Sequence, residues 1–235
     1  MSSADRRGGT LRRTTFDTKQ QLSEKVAAYI REGIMVGQFR AGEYIRTERL
    51  ADELGVSPTP VREALMLLGS EGSVRWEPRR GYRVVPLTSQ DVSDLFRVQA
   101  FIAGELAARA ATELGEETLD ELEEIQAQLE QAERDGDLEL VETLNYRIHR
   151  TINKASDSGR LAVLLGVTVN YVPLGYFASI DGWSSASAHD HSSIFQALRA
   201  RDPEGARKAM TAHIEHVGGQ LVDHLREREV LHDGT

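Results

Sequence analysis

The chain has 235 residues, with 28 Lys+Arg against 37 Asp+Glu for a net charge of −9, and no cysteine. Disulfides and thiolate metal sites are excluded. No apolar run reaches the roughly 18 residues of a membrane span, and the N-terminus lacks the apolar stretch of a signal peptide, so a cytoplasmic protein of two domains is expected. The charge is unevenly divided. Residues 1–87 hold 15 Lys+Arg and 11 Asp+Glu, a net of +4, whereas residues 88–235 hold 13 and 26, a net of −13. The basic excess lies where nucleic acid would bind, and the acidic remainder would repel it.

In chain order, residues 1–18 read as a disordered basic tail. Their first sixteen residues carry four Arg and no periodicity, the mark of a solvated segment; a basic arm touching DNA is the sharper reading. Leu22, Val26, Ile30 and Ile34 then predict a helix from about Thr18 to Val36, with Gly37 as its stop. Thr47 to Met66 predicts a helix-turn-helix. Leu50 and Leu54 give the first helix an apolar side, and Val61, Leu65 and Leu68 the second. Gly55-Val56-Ser57 can form the tight turn, Thr47 and Ser57 are candidate caps, and Pro58 falls at a first helical position. Ala51 is small where the helices must cross, and Val61 fills their angle. Thr59 and Arg62 face outward, and both suit phosphates and base edges. Two helices of an ordinary bundle are the plain alternative. Val74–Pro78 and Tyr82–Pro86 are β-prone runs around Arg79-Arg80-Gly81, a hairpin with two cations at its tip. Residues 19–87 therefore read as a winged helix-turn-helix.

From Ser89 on, only helices are predicted: Ser89–Leu114, Glu116–Asp135, Leu138–Ala155, Arg160–Ile180 with a kink at Pro173, Ala186–Ala200 and Pro203–Arg228. The fold class is thus mainly α, an N-terminal winged helix followed by an antiparallel bundle of about six helices over residues 88–235. All seven His lie in this half. His191 shares an apolar stripe with Ile194, Phe195 and Leu198, and His213 lies between Met210 and Val217. His149 follows Asn145 by one turn on the edge of an inward face, while His189 faces Ser192 and Ser193 and is expected to be exposed. Inward imidazoles on three helices could converge on a metal ion; the alternative is three separate, hydrogen-bonded core histidines.

The run ERLADELGVSPTPVREAL followed by PRRGYRVVPLT strongly resembles the GntR family of bacterial transcription regulators. DPEGARKAMTAHIEHV together with NYRIHRTI is similar to the FCD effector domain of its FadR-type subfamily. The resemblance covers residues 19–228. It implies a homodimer on a pseudo-palindromic double-stranded DNA operator, whose affinity changes when a small metabolite enters the helical domain. Many such proteins hold a divalent metal by an Asp and three His, with the Asp four residues before the first His. Carried over, that ligand set is Asn145, His149, His191 and His213. Asn145 offers a neutral amide oxygen where the family usually has a carboxylate, which disfavours a hard cation and puts Zn²⁺ or Ni²⁺ ahead of Mg²⁺. Gln99 stands where many relatives have an Arg for an effector carboxylate, so the pocket of Gln99, Asn145, His149, His191 and His213 is expected to take a neutral or differently anchored effector, an organic acid or sugar derivative. Pro58 stands where many relatives have a basic residue, which shifts base reading to Arg49, Thr59 and Arg62. Ser57, Arg79, Arg80 and Gly81 match the family's usual DNA contacts.

The expected function is a metabolite-responsive transcription regulator, most often a repressor in this family. A metal-sensing or effector-independent DNA-binding protein is the alternative. A metal-dependent enzyme is remote: three His could activate water, but no Glu, Asp or Ser stands beside them in a catalytic arrangement.

Overall fold

The computed structural model describes residues 17–172 and 176–233. The predicted tail therefore lies outside the described residues, apart from its last two positions, which begin the first helix. That helix, α1 (Asp17–Met35), packs against a helix-turn-helix of α2 (Thr47–Leu54) and α3 (Pro58–Ser70). Val26, Ala27, Ile30, Leu50, Ala51, Val61, Leu65 and Leu68 close a buried core between them. Gly55 ends α2 at φ 65° and returns its N–H to the helix, the left-handed cap that the turn needs. Capping differs in detail from expectation. Arg46 stands at the cap position of α2, Thr47 is already helical and buried, and neither Arg46 nor Ser57 makes a side-chain cap bond. Pro58 opens α3 as expected.

Three strands complete the domain: β1 (Tyr44–Ile45), β2 (Val74–Glu77) and β3 (Gly81–Val84), antiparallel in the order β1-β3-β2. Both hairpin strands were legible in the alternation around Arg79–Gly81. Strand β1 was not, because two residues carry no period. It pairs Tyr44 with Arg83 and Ile45 with Tyr82.

The second half is a bundle of α4 (Ser89–Glu113), α5 (Glu116–Asp135), α6 (Leu138–Ala155), α7 (Gly159–Val169), α8 (Trp183–Arg199) and α9 (Pro203–Glu227). Thr88 and Asp91 form a reciprocal capping box at the start of α4, and Asp202 caps α9 ahead of Pro203. The long kinked helix expected over Arg160–Ile180 is not present. α7 stops at Val169, Asn170 caps it, and a separate 3₁₀ turn follows at Phe177–Ser179. Pro173 itself lies outside the described residues. A residue preceding a proline avoids helical geometry, consistent with a helix that ends short of it. α8 begins at Trp183, three residues before the expected Ala186. The core joins α4 and α9 through Phe96, Leu106, Met210 and Leu221, and joins α5, α6 and α8 through Leu122, Leu129, Ile148, Ile152 and Ile194.

Candidate nucleic-acid interface and metal centre

In the winged helix, Ser57, Thr59 and Arg62 are exposed at the start of α3, Arg49 is exposed on α2, and Arg79 and Arg80 are exposed at the wing tip. The arginines rest on neighbouring groups. Arg49 Nε donates to Glu53 at 2.8 Å, and Arg62 lies 3.9 Å from Glu48. Arg80 donates to Tyr44 Oη at 3.2 Å and stacks over the Tyr44 ring, while Tyr44 Oη donates to Glu77 at 2.6 Å. These exposed pairs are weak, so phosphate oxygens can displace the acids. Gly81 has φ 99°, and a Cβ there would stand 2.8 Å from Ile45 O, so the wing backbone can lie on β1 only with glycine. Arg46, Arg75 and Arg83 are also exposed on this domain. No period in the sequence singles these three out from other surface arginines. Gln99 is buried on α4, and its amide donates to Thr168 O at 3.0 Å, pinning the end of α7.

Among the described residues, His149 of α6, His191 of α8 and His213 of α9 form one cluster whose nitrogens lie within 4.8 Å of one another. Their ring centroids are separated by 5.3 Å (149 to 191), 5.1 Å (149 to 213) and 4.9 Å (191 to 213). His189 is exposed and takes no part. Hydrogen bonds assign the tautomers. The Gln126 amide nitrogen donates to Ala188 O and Glu130, which turns Gln126 Oε1 toward His191 Nδ1 at 2.9 Å. His191 Nδ1 is therefore the donor, and its Nε2 carries a lone pair that is buried with no hydrogen-bond partner. His213 Nδ1 faces Asp190 Oδ2 at 3.4 Å, which leaves its Nε2 lone pair toward His149 Nε2 at 3.2 Å. Asn145, one turn before His149, accepts from Ser187 Oγ at 3.3 Å, one turn before His191. Its oxygen thus lies on the same inward faces of α6 and α8.

Burial decides the charge state. Desolvation, then the neighbouring His213, lowers the His149 pKa to about 3. Burial, then His149 and His213, holds His191 well below the usual range. The Asp190 carboxyl is held below its ordinary value, first by the hydrogen bond from His213, against desolvation, and then by His216, whose Nδ1 lies at 2.8 Å. Neutral imidazoles with convergent Nε2 lone pairs are the form that ligates a metal, and hydrogen-bonded Nδ1 atoms are the arrangement that orients such ligands. An orphaned buried Nε2 and a 3.2 Å contact between two Nε2 atoms both fit a divalent cation between the rings. Gln126 and Asp190, which orient the rings, were missed in the sequence because neither lies on a stripe with a histidine.

Comparison with known proteins bears on both halves. A model of bacterial regulatory proteins of the gntR family matches residues 22–84, and a model of the FCD domain matches residues 94–216. The chain belongs to the GntR family and carries an FCD domain. The regulator is 27% identical over 191 residues to the "Uncharacterized HTH-type transcriptional regulator YdhC" of Bacillus subtilis, covering 80% of this chain and 85% of that one. It is 30% identical over 203 residues to the "Probable D-xylose utilization operon transcriptional repressor" of Paenarthrobacter nicotinovorans, covering 84% and 87%. The solved structure of E. coli McbR/YncC shares the fold with a TM-score of 0.63 at 24% identity, over 88% of this chain and 98% of that chain. These relatives are transcription regulators, and no helix among the described residues is long and apolar enough to cross a membrane.

Proposed function

We propose that this regulator is a homodimeric repressor whose operator affinity is set by a small metabolite in the helical domain, beside a divalent cation held by His149, His191, His213 and Asn145. The observation that carries the reading is the convergence of His149, His191 and His213, the last two buried, with an orphaned Nε2 on His191 and the His149 and His213 Nε2 atoms 3.2 Å apart, since an apolar core alone gives no reason to gather three imidazoles and leave a ring nitrogen without a partner. The nitrogen-rich, uncharged donor set favours Zn²⁺ or Ni²⁺ over Mg²⁺. Positions left open by these ligands can accept effector oxygens. The name of the Paenarthrobacter relative, a D-xylose utilization operon repressor, makes sugars the first effectors to try. On the DNA side, Arg49, Ser57, Thr59 and Arg62 would enter the major groove, while Arg79, Arg80 and Gly81 bring the wing to the backbone. Elemental analysis of protein purified without chelator tests the centre. One divalent ion per chain is expected in wild type and in His189→Ala, with loss in His191→Ala. Metal-free wild type, or equal loss in both variants, would overturn it.

The dimer reading rests on an apolar face that one copy leaves in water. Val98 and Phe101 of α4 are 49% and 67% exposed, and Val163, Leu164 and Val167 of α7, which packs on α4, are 67%, 54% and 56% exposed. A cluster of this kind marks an interface, and a two-fold pairing through it matches a two-fold operator. Half-sites would lie about 10 bp apart, or closer on bent DNA.

A further inference from the structure

We infer that Asp190 is the residue that supplies negative charge to the imidazole centre, acting through His213 in place of the carboxylate that Asn145 lacks. This inference rests on the metal reading above. The three rings and the Asn145 amide carry no formal charge, so a divalent ion between them would be a buried charge without a counter-ion, an arrangement that proteins avoid. Among the described residues, Asp190 is the one carboxylate hydrogen-bonded to a ring of the cluster, with Oδ2 at 3.4 Å from His213 Nδ1. The same oxygen lies 2.8 Å from His216 Nδ1. His191, by contrast, turns its Nδ1 to the neutral oxygen of Gln126.

The two Nδ1 contacts thus differ in kind. Gln126 orients His191 and contributes no charge. Asp190 orients His213 and also polarises it, because a carboxylate on Nδ1–H makes Nε2 a stronger donor. The local fold explains why the carboxylate can do this without being a ligand itself. Asp190 directly precedes His191 on α8, so its side chain leaves the helix about 100° away from the ligand face. From there it meets α9 at the edge of its buried face, where His213 and His216 stand three residues apart and both turn Nδ1 toward Asp190 Oδ2. His213 is 3% exposed, and the Asp190 side chain is 21% exposed. The charge therefore sits at the boundary between core and solvent, where its own desolvation is modest, and reaches the interior through one imidazole. The 3.4 Å separation is long for an N–H···O bond. A cation on Nε2 acidifies Nδ1–H and draws that contact in. His216 is a second tenant of the carboxylate on the exposed side, and holds the Asp190 rotamer without facing the cluster.

The test is zinc affinity of the full chain, stripped with chelator and titrated in competition with a fluorescent zinc chelator at pH 8. Thermal unfolding of each metal-free variant is recorded alongside. Asp190→Asn is expected to weaken zinc binding by roughly 10- to 100-fold while the metal-free melting curve stays cooperative. Combining it with Asn145→Asp should recover most of that loss by placing a charge on the ligand itself, and Asp190→Glu should retain part of the affinity. His216→Ala should remain within about threefold of wild type. If wild type binds zinc and Asp190→Asn binds it equally well, the role of Asp190 falls and the metal centre stands. If Asp190→Asn is weakened but Asn145→Asp brings no recovery, Asp190 only holds the ring, and the charge argument is overturned. If wild type binds no zinc, the metal reading fails and this inference fails with it.

Discussion

Arg62, proposed above to enter the major groove, is nearly free of its own fold. It projects from the second turn of α3 with only a 3.9 Å approach to Glu48, so its removal should leave folding intact. Arg62→Ala should weaken operator binding by roughly 1–3 kcal/mol, measured by fluorescence anisotropy across a salt series. Unchanged affinity together with an unchanged salt slope would remove it from the interface. At the other extreme, His149 is tied to stability by its protonation. The folded chain keeps it neutral down to about pH 3, whereas the unfolded chain takes up its proton near the ordinary imidazole value of about 6.5. The unfolded state therefore binds more protons between those values, and stability is lost as the pH falls through that window. Urea unfolding of metal-free protein at pH 7 and pH 5 should show wild type losing about 2 kcal/mol more than His149→Leu over that step. Parallel losses would show that the ring is already charged when folded. At this scale the sequence was informative about the inward histidines, since helical phase alone separates His191 and His213 from His189. It was silent about Gln126 and Asp190, whose roles arise from contacts between helices 65 and 23 positions apart in sequence.

The helices of the bundle were legible where capping and periodicity agreed. Glu116–Asp135 and Leu138–Ala155 appear with those bounds, the first closed by a left-handed glycine and the second opened by an Asp cap. α7 failed because Leu161, Val163, Leu164, Leu165, Val167 and Val169 are apolar on every side of the helix. With no polar face, nothing marked where the period stopped. One side of α7 packs on α4, and the other bears the exposed apolar face proposed above to meet a second copy. α4 and α9 approach closely through glycine. A Cβ at Gly104 would lie 2.5 Å from Thr211 Oγ1 and 3.1 Å from Arg207 O, and one at Gly218 would lie 2.6 Å from the Phe96 side chain. Gly104→Ala should therefore force the helices apart and destabilise the domain by about 1–3 kcal/mol in chemical denaturation, overpacking outweighing the usual helix gain of alanine. A neutral or stabilising result would mean that Thr211 rotates away and the crossing tolerates the methyl group.

Across the whole molecule, several connections among the described residues link the bundle to the winged helix, among them Tyr171 Oη, which donates to Glu71 O at 3.4 Å. Tyr176 Oη donates to Met35 O at the end of α1, while its ring meets His224 of α9 edge-on at 5.8 Å. The segment after α9 returns to the linker, where His232 N–H donates to Leu87 O at 2.8 Å. α9 also carries His213, so a shift of this helix on ligand or metal binding can reach α1 through packed groups; a ligand changes operator affinity only by as much as it distinguishes the two arrangements. Assembly is tested separately. Phe101→Glu with Val163→Glu should convert a dimer into a folded monomer in sedimentation at micromolar concentration, and a dimer that survives both changes would place the interface elsewhere. The measurement that bears most directly on the regulator as a coupled device is operator affinity of the intact protein with its centre loaded and stripped. A fluorescent duplex from upstream of its own gene, titrated at fixed salt, should bind zinc-loaded and chelator-stripped wild type with affinities that differ by at least about fivefold, the low end of ordinary coupling, and His191→Ala should show no such difference. Identical affinities for loaded and stripped wild type, with zinc binding verified in the same samples, would contradict the account.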